Sequence, residues 1–426
     1  MNKLRFQALV GAASLSATVA FAQSPKVSNV MMSQDQVSRV VTISYDLDEN
    51  ADPGIVTFDI LTNGVSIGAE NIKGAVGDIG RIQMPDGIRK TIKWPAAQSW
   101  PGYNIKEACV TARVTAWSTN NPPPVMVIDL NTKEKSFYTH LAQLPGGISD
   151  RVYKTEKLVM KRIPAAGVTW MMGDSVSKPT TGRNRPHKVA FSEDYYIGVY
   201  EVTRGQMALV DKGANRTPTS TDFETTQDVD AMPADKVGYG QATIDGTTDQ
   251  QLRGYGIWPK DGHSVPSTSI IAQFRQLGVE FDLPTSAQWE FACRAGTAST
   301  YNNGTNDGLD EVAWHKGNSA IDGVLMPHVV GTRKANDFGL FDMHGNVSEW
   351  VLDRYDPDGS SFDGNDVSLD PKGLESAATG HTASRTWRGG SYDGTQCGSH
   401  IAGNRNYNSV TATGFGFRLW APVGVN

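Results

Sequence analysis

The sequence predicts a mostly β and irregular protein, with an N-terminal β-sandwich over residues 27–130 followed by an α+β domain over 158–422. Two contrasts lead there. Short β-branched and aromatic runs recur through the first part, whereas the remainder is rich in Gly, Asn and Trp with only two helical segments. A Pro- and Gly-bearing stretch lies between them. At 426 residues the chain has room for two or three domains.

Residues 1–22 read as a signal peptide. Lys3 and Arg5 precede an apolar run from Phe6 to Phe21, and Ala20-Phe21-Ala22 offers small residues for cleavage. The expectation is an exported protein, periplasmic, secreted or cell-surface. No Cys follows the apolar run, so a lipoprotein anchor is not supported. No later stretch approaches the ~18 apolar residues of a spanning helix, and no transmembrane segment is expected.

The sandwich rests on Val40–Tyr45, Val56–Leu61, Ile92–Trp94 and Ala112–Trp117. Asn63-Gly64 after the second run is a hairpin-turn signal. Short strands at this spacing suggest an immunoglobulin- or fibronectin-like sandwich. Trp94 and Trp117 are expected as core aromatics rather than sugar-stacking platforms. Pro122-Pro123-Pro124 breaks the pattern and Leu144-Pro145-Gly146-Gly147 follows, which places a linker at 131–157. Beyond it, Thr203–Lys212 and Thr285–Arg294 each open on a Thr cap. The second carries Gln288 at capping-box spacing and stops before Gly296.

Apolar residues make up 39% and charged residues 20%, the balance of an ordinary globular chain. A net charge of -6 without a basic run excludes a general nucleic-acid binder. Cys109, Cys293 and Cys397 are far apart and odd in number. They form neither a disulfide scaffold nor a C-x-x-C metal pattern.

Five segments then occur in a recognisable order: Met172-Gly173-Asp174, Tyr196–Thr203 (YIGVYEVT), Leu283–Ala292 (LPTSAQWEFA), Phe338–Trp350 (FGLFDMHGNVSEW), and Arg388–Tyr392 (RGGSY) followed by Gly416–Leu419 (GFRL). Together they resemble the formylglycine-generating-enzyme, or sulfatase-modifying factor, family over about 158–420. The resemblance implies a C-type-lectin-like superfamily fold with little regular structure, and says nothing of residues 1–150.

Asp342 and Glu349 flank a turn at Gly345, and paired carboxylates around inward carbonyls suit a calcium ion. The resemblance implies Asp342, Gly345, Val347 and Glu349 as its ligands, in a structural role. A second reading has the two acids cap and brace the turn. His344 is expected to hydrogen-bond to backbone rather than to hold metal. No H-x-x-x-H-x-E or H-E-x-x-H spacing is present, against the family's iron-dependent branch.

The family's oxidases convert a sulfatase Cys to formylglycine with oxygen and copper, held by cysteines three and about eight residues after the RGGS serine. Two soft thiolates suit Cu(I). Here Ser391 is followed at the first of these positions by Gly394, and only Cys397 lies nearby. Cys397 and Ser391 are the candidate catalytic residues, with Cys397 as a packing residue the competing reading. Cys109 and Cys293 are expected to fill core. Tyr392, Asn404, Arg405, Asn406 and Tyr407 form a candidate ligand surface, because Tyr and Asn suit adaptable recognition. A loop-stitching role competes with it. The favoured function is a secreted non-oxidase binding or accessory module acting on exported sulfatases or on surface glycans or proteins. The alternative is a formylglycine-generating oxidoreductase acting on a protein cysteine, with copper as its cofactor.

Overall fold

A computed structural model of the protein describes residues 24–102, 109–211 apart from 181 and 183, 226–240, 243–244, 247–248, 252–253, 258–260, 262–362, 366–380, 384–406 and 413–424. The expected signal peptide lies outside the described residues.

Among the described residues, eight strands build the N-terminal body: β1 (Val27–Gln34), β2 (Val41–Leu47), β3 (Gly54–Thr62), β4 (Val65–Ser66), β5 (Val76–Gly77), β6 (Ile82–Gln83), β7 (Lys90–Trp94) and β8 (Val110–Ser118). They form two antiparallel sheets, one ordered β1-β2-β7-β5 and the other β4-β3-β6 with β8 beside β3. In β2 the burial alternates residue by residue, as a strand with one covered face requires. Ile43, Tyr45, Val56, Ile60, Ile92 and Trp94 meet in an apolar core, so the sandwich expectation holds. Asn63 and Gly64, at φ 49° and 80°, turn β3 into β4. Trp94 is buried, and Trp117 is half-buried with its Nε1–H on Thr57 Oγ1 at 2.7 Å.

The expected boundary needs correction. Strand β9 (Val125–Asp129) was assigned to the sandwich, but it pairs with β10 (Lys135–Tyr138) and β11 (Lys157–Ile163) in the main sheet of the second body. That sheet continues through Tyr195–Gly198 to Trp420–Pro422, antiparallel throughout. Residues 131–157 are therefore folded structure and not a linker. Val125, Met126 and Ile128 are fully buried, and such an apolar run belongs inside a sheet covered on both faces.

A second sheet orders Ala402–Asn406, Ser384–Arg388, Ser348–Arg354 and Phe415–Phe417. Its strand Ser348–Arg354 is buried along almost its whole length. Both expected helices form, as Arg204–Val210 and Ser286–Arg294, with Thr203 and Thr285 as caps and Gln206 and Gln288 closing the boxes. At the end of the latter, Ala295 and Gly296 adopt left-handed φ values of 46° and 92°. Long loops occupy much of the rest.

Candidate functional site

Strand Ser348–Arg354 lies between Ser384–Arg388 and Phe415–Phe417, with Glu349 opposite both Arg388 and Gly416. This carries the Glu349 carboxylate into the interior, where it is fully buried. Arg418, equally buried, donates to it from Nε and Nη2, the closer at 2.8 Å. The Thr285-capped helix brings Trp289 Nε1–H to its other oxygen at 2.7 Å. Arg418 also donates to the carbonyls of Gly198 and Phe341, each at 2.8 Å, so one guanidinium ties three segments together.

Two further acids share this interior. Glu201 is fully buried and accepts from Asn346 Nδ2 at 2.7 Å and Val347 N–H at 3.0 Å. Burial, then the neighbouring Asp342 and Glu349 charges, push its carboxyl well above the usual range. Asp342 Oδ2 accepts the Gly331 N–H at 2.6 Å, while its Oδ1 is buried and has no hydrogen-bonding partner. Burial pushes Asp342 up to about 6. Between Asp342 and Glu349 the backbone turns sharply through left-handed φ at Asp342, Gly345 and Asn346. A Cβ on Gly345 would lie 2.1 Å from Trp314 O, so only glycine fits there.

This geometry tests the implied calcium ligands. The orphaned Asp342 oxygen, and three buried acids set against one fully buried arginine, are features a cation answers. At Glu349 the ion would have to share oxygens with Arg418. The fit rests on the free Asp342 oxygen alone, since both Glu349 oxygens are already taken by Arg418 and Trp289.

Next to this cluster, the Gly389-Gly390 turn, at φ 88° and 77°, leads into Ser391 and Cys397. Cys397 is fully buried, with Sγ 4.0 Å from Ser391 O, and a Cβ on Gly390 would come within 2.7 Å of that sulfur. Burial pushes the Cys397 thiol up to about 12. Ser391 donates its hydroxyl to Asp393 at 2.6 Å, which stitches the turn. Gly394, where the second copper thiolate is required, offers no side-chain donor, and its N–H closes the turn onto Ser391 O.

His344 stands beyond, hydrogen-bonded to backbone as expected: Nδ1 to Cys397 O at 2.5 Å and Nε2 from Asn302 N–H at 3.1 Å. Burial drops it to about 4, so it is neutral. Cys293 lies 3.7 Å from His344 Nε2, with its thiol likewise raised to about 12, and it fills core. The imidazole ring thus separates the Cys293 sulfur from the Cys397 carbonyl. Among the described residues, no three His, Cys, Asp or Glu side chains converge to hold a metal. One thiol and a glycine do not fit a two-sulfur copper site.

Tyr392, expected on a ligand surface, is buried, and this is a correction. The double-glycine turn directs it inward, with its N–H on Asn346 O and its carbonyl accepting from Ser319 Oγ at 2.6 Å. Asn404, Arg405 and Asn406 lie on the edge strand Ala402–Asn406, and Tyr407 lies outside the described residues.

Sequence reasoning missed Glu201, Trp289 and Arg418, and also Glu290. The last is fully buried between Arg294 and Arg388, which hold its carboxyl below the usual range against the burial that would raise it. The signal was available: Tyr200-Glu201-Val202 and Phe417-Arg418-Leu419 place a single charge inside an apolar run, the pattern of a buried, paired ion.

The comparisons with known proteins bear on the second domain. The family model described as a sulfatase-modifying factor enzyme 1-like domain (FGE-sulfatase) matches residues 154–421. A formylglycine-generating enzyme of Mycobacterium tuberculosis is 35% identical over 119 residues, 26% of this chain and 39% of that protein. A protein named chaperone protein LppX, of Paenibacillus barcinonensis, is 29% identical over 181 residues, covering 37% and 61%. The inactive Cα-formylglycine-generating enzyme 2 of Mus musculus is 38% identical over 90 residues, covering 19% and 28%. In each case the chain spans less than two thirds of the relative's length. With five ordered motifs and a matched domain covering more than half its length, the chain belongs to the sulfatase-modifying factor enzyme 1-like family.

Proposed function

We propose that this protein is an exported binding or accessory member of its family that does not carry out the copper-dependent oxidation. The observation that carries this reading is Cys397 itself: fully buried, and accompanied by Gly394 where a second sulfur is needed. A lone enclosed thiol with glycine at the partner position does not supply the paired sulfurs that hold Cu(I), and its burial keeps it from a substrate cysteine. Two of the partial relatives bear names outside the oxidase activity, an inactive enzyme and a chaperone, which supports the same reading. Its partners on this view are exported sulfatases or other surface proteins or glycans, met through the edge that carries Asn404 to Asn406. Calcium at Asp342 belongs to the proposal as a structural ion that neutralises buried acid.

The test is direct. Purified protein is incubated with Cu(I), oxygen and a sulfatase-derived Cys peptide, and the product is weighed by mass spectrometry. No aldehyde is expected. Aldehyde that forms with the native chain and disappears in Cys397→Ser would overturn the proposal.

A further inference from the structure

Where the sandwich meets the second domain, the structure forms a partly open cavity of about 410 Å³. That volume lies within the ~300–1,000 Å³ typical of small-molecule sites, and domain seams are a preferred location for them. The seam is stitched rather than gaping. The Phe137 N–H donates to Gly80 O at 2.7 Å, and a Cβ on Gly80 would lie 2.8 Å from Phe137 O.

The two bodies contribute differently to the lining. Phe58 and Ile72 from the sandwich core and Phe137 from the second domain give apolar walls. The polar lining offers free side-chain donors. Gln143 Oε1 already accepts from the Thr139 N–H and hydroxyl and from the His140 N–H, which leaves its NH2 group as an unused donor. Among the described residues, the Tyr138 and Ser136 hydroxyls also make no hydrogen bond. Arg81 is the charged residue of the lining. It spends one N–H on Glu134 at 3.0 Å, an exposed pair of small worth. Among the described residues, no carboxylate lines the cavity.

Unused donors, one guanidinium and apolar walls are complementary to an acceptor-rich anion with an apolar body. We propose that this seam binds a small amphipathic organic anion, a carboxylate or sulfonate on a ring-sized apolar body. Its charged group meets Arg81 and the Gln143 amide, and its body packs against Phe58, Ile72 and Phe137. A bound ligand touches both bodies at once, so it ties the sandwich to the second domain. A peptide strand is a poorer occupant, because Gly80 already takes the outward Phe137 N–H of β10.

Titration of the full chain with 8-anilinonaphthalene-1-sulfonate, read by fluorescence, tests this. One dye per chain is expected. Arg81→Gln should weaken binding at least tenfold, Arg81→Lys less, and Ala75→Trp, which fills the cavity from the β5 side, should abolish it. Near-UV circular dichroism reports whether each variant is folded. Phenylacetate should displace the dye, and phenethylamine, with the same body and the opposite charge, should not. The proposal fails if the native chain binds no dye or several, if folded Arg81→Gln and Ala75→Trp bind as the native chain does, or if both competitors act equally.

Discussion

The two bodies of this molecule solve one problem in opposite ways. In the sandwich, ladder hydrogen bonds satisfy the backbone, and the interior is left to side chains such as Ile43, Phe58 and Ile92. In the second domain, long loops leave carbonyls that no ladder collects, and buried or half-buried arginines collect them. Arg418 takes Gly198 and Phe341, Arg294 takes Gly173, Arg253 takes Gly262, and Arg275 takes Phe281 and His263. Each of these guanidiniums then meets a carboxylate: Glu349 for Arg418, Glu290 for Arg294, and Asp282 for Arg253 and Arg275. An irregular backbone thus imports charge into the core because every buried polar group requires a partner. Regularity and buried charge stand in for one another.

The sharpest way to break this contrast is Arg418→Met. It strands Glu349 and two carbonyls, and should cost the second domain about 3–5 kcal/mol while the sandwich transition stays in place. Urea unfolding followed by tryptophan fluorescence measures it, and a loss below about 1 kcal/mol would sink the argument. The mirror experiment is Ile92→Ala in the sandwich, expected to cost about 3 kcal/mol through lost burial and a residual cavity. A deletion of that size confined to the second transition would reverse the assignment of cores.

Calcium sharpens the comparison, because only the charged domain should respond. At about 100 times its Kd, the ion should add about 2.7 kcal/mol, seen as a melting point raised over that in chelator. Asp342→Asn should remove the response. An unchanged midpoint, with no ion found by elemental analysis, removes calcium from the description.

A smaller effect comes from Asp353, whose carboxyl burial pushes up to about 6 from an ordinary value of 3.8. The folded state holds this proton more tightly than the unfolded one. The contribution to stability is therefore full below about 3.8 and lost as pH rises through 6. Between pH 7.5 and 5 it should add about 1.4 kcal/mol. Asp353→Asn, which still accepts the Ser286 N–H, should flatten that part of the pH profile. The smallest effect expected is from Thr285→Ala, about 1 kcal/mol through loss of the cap that orients Trp289 and Glu290.

What could be read in the sequence follows the same division. The strands at Val41–Leu47 and Gly54–Thr62, the Asn63-Gly64 turn and both Thr-capped helices were legible because period-two burial, turn chemistry and caps act over a few residues. The family was legible from five short motifs. Two acids of the charge cluster, Asp342 and Glu349, were legible, but their company was not, since Glu201 meets Val347 at a separation of 146 residues and Arg418 meets Glu349 at 69. Nothing local says which acid pairs with which arginine. The linker was misplaced for a related reason: Pro122-Pro123-Pro124 does mark the break, but Val125–Asp129 reads as a strand without naming its sheet. Tyr392 was read as surface because the inward course of the Gly389-Gly390 turn depends on Cys397 and Asn346, neither of which adjoins it.

The order in which Arg418 gathers its partners bears on synthesis. Gly198, Phe341 and Glu349 all leave the ribosome before it, as do the acids Glu201 and Asp342. Until residue 418 and the adjoining strand Trp420–Pro422 emerge, the nascent domain holds a knot of acids with no guanidinium among them, and a main sheet lacking its final strand. The sandwich suffers no such delay, because its strands are complete by Ser118. The sandwich therefore has all its strands in hand before the second domain can complete its main sheet or its Arg418 pairing.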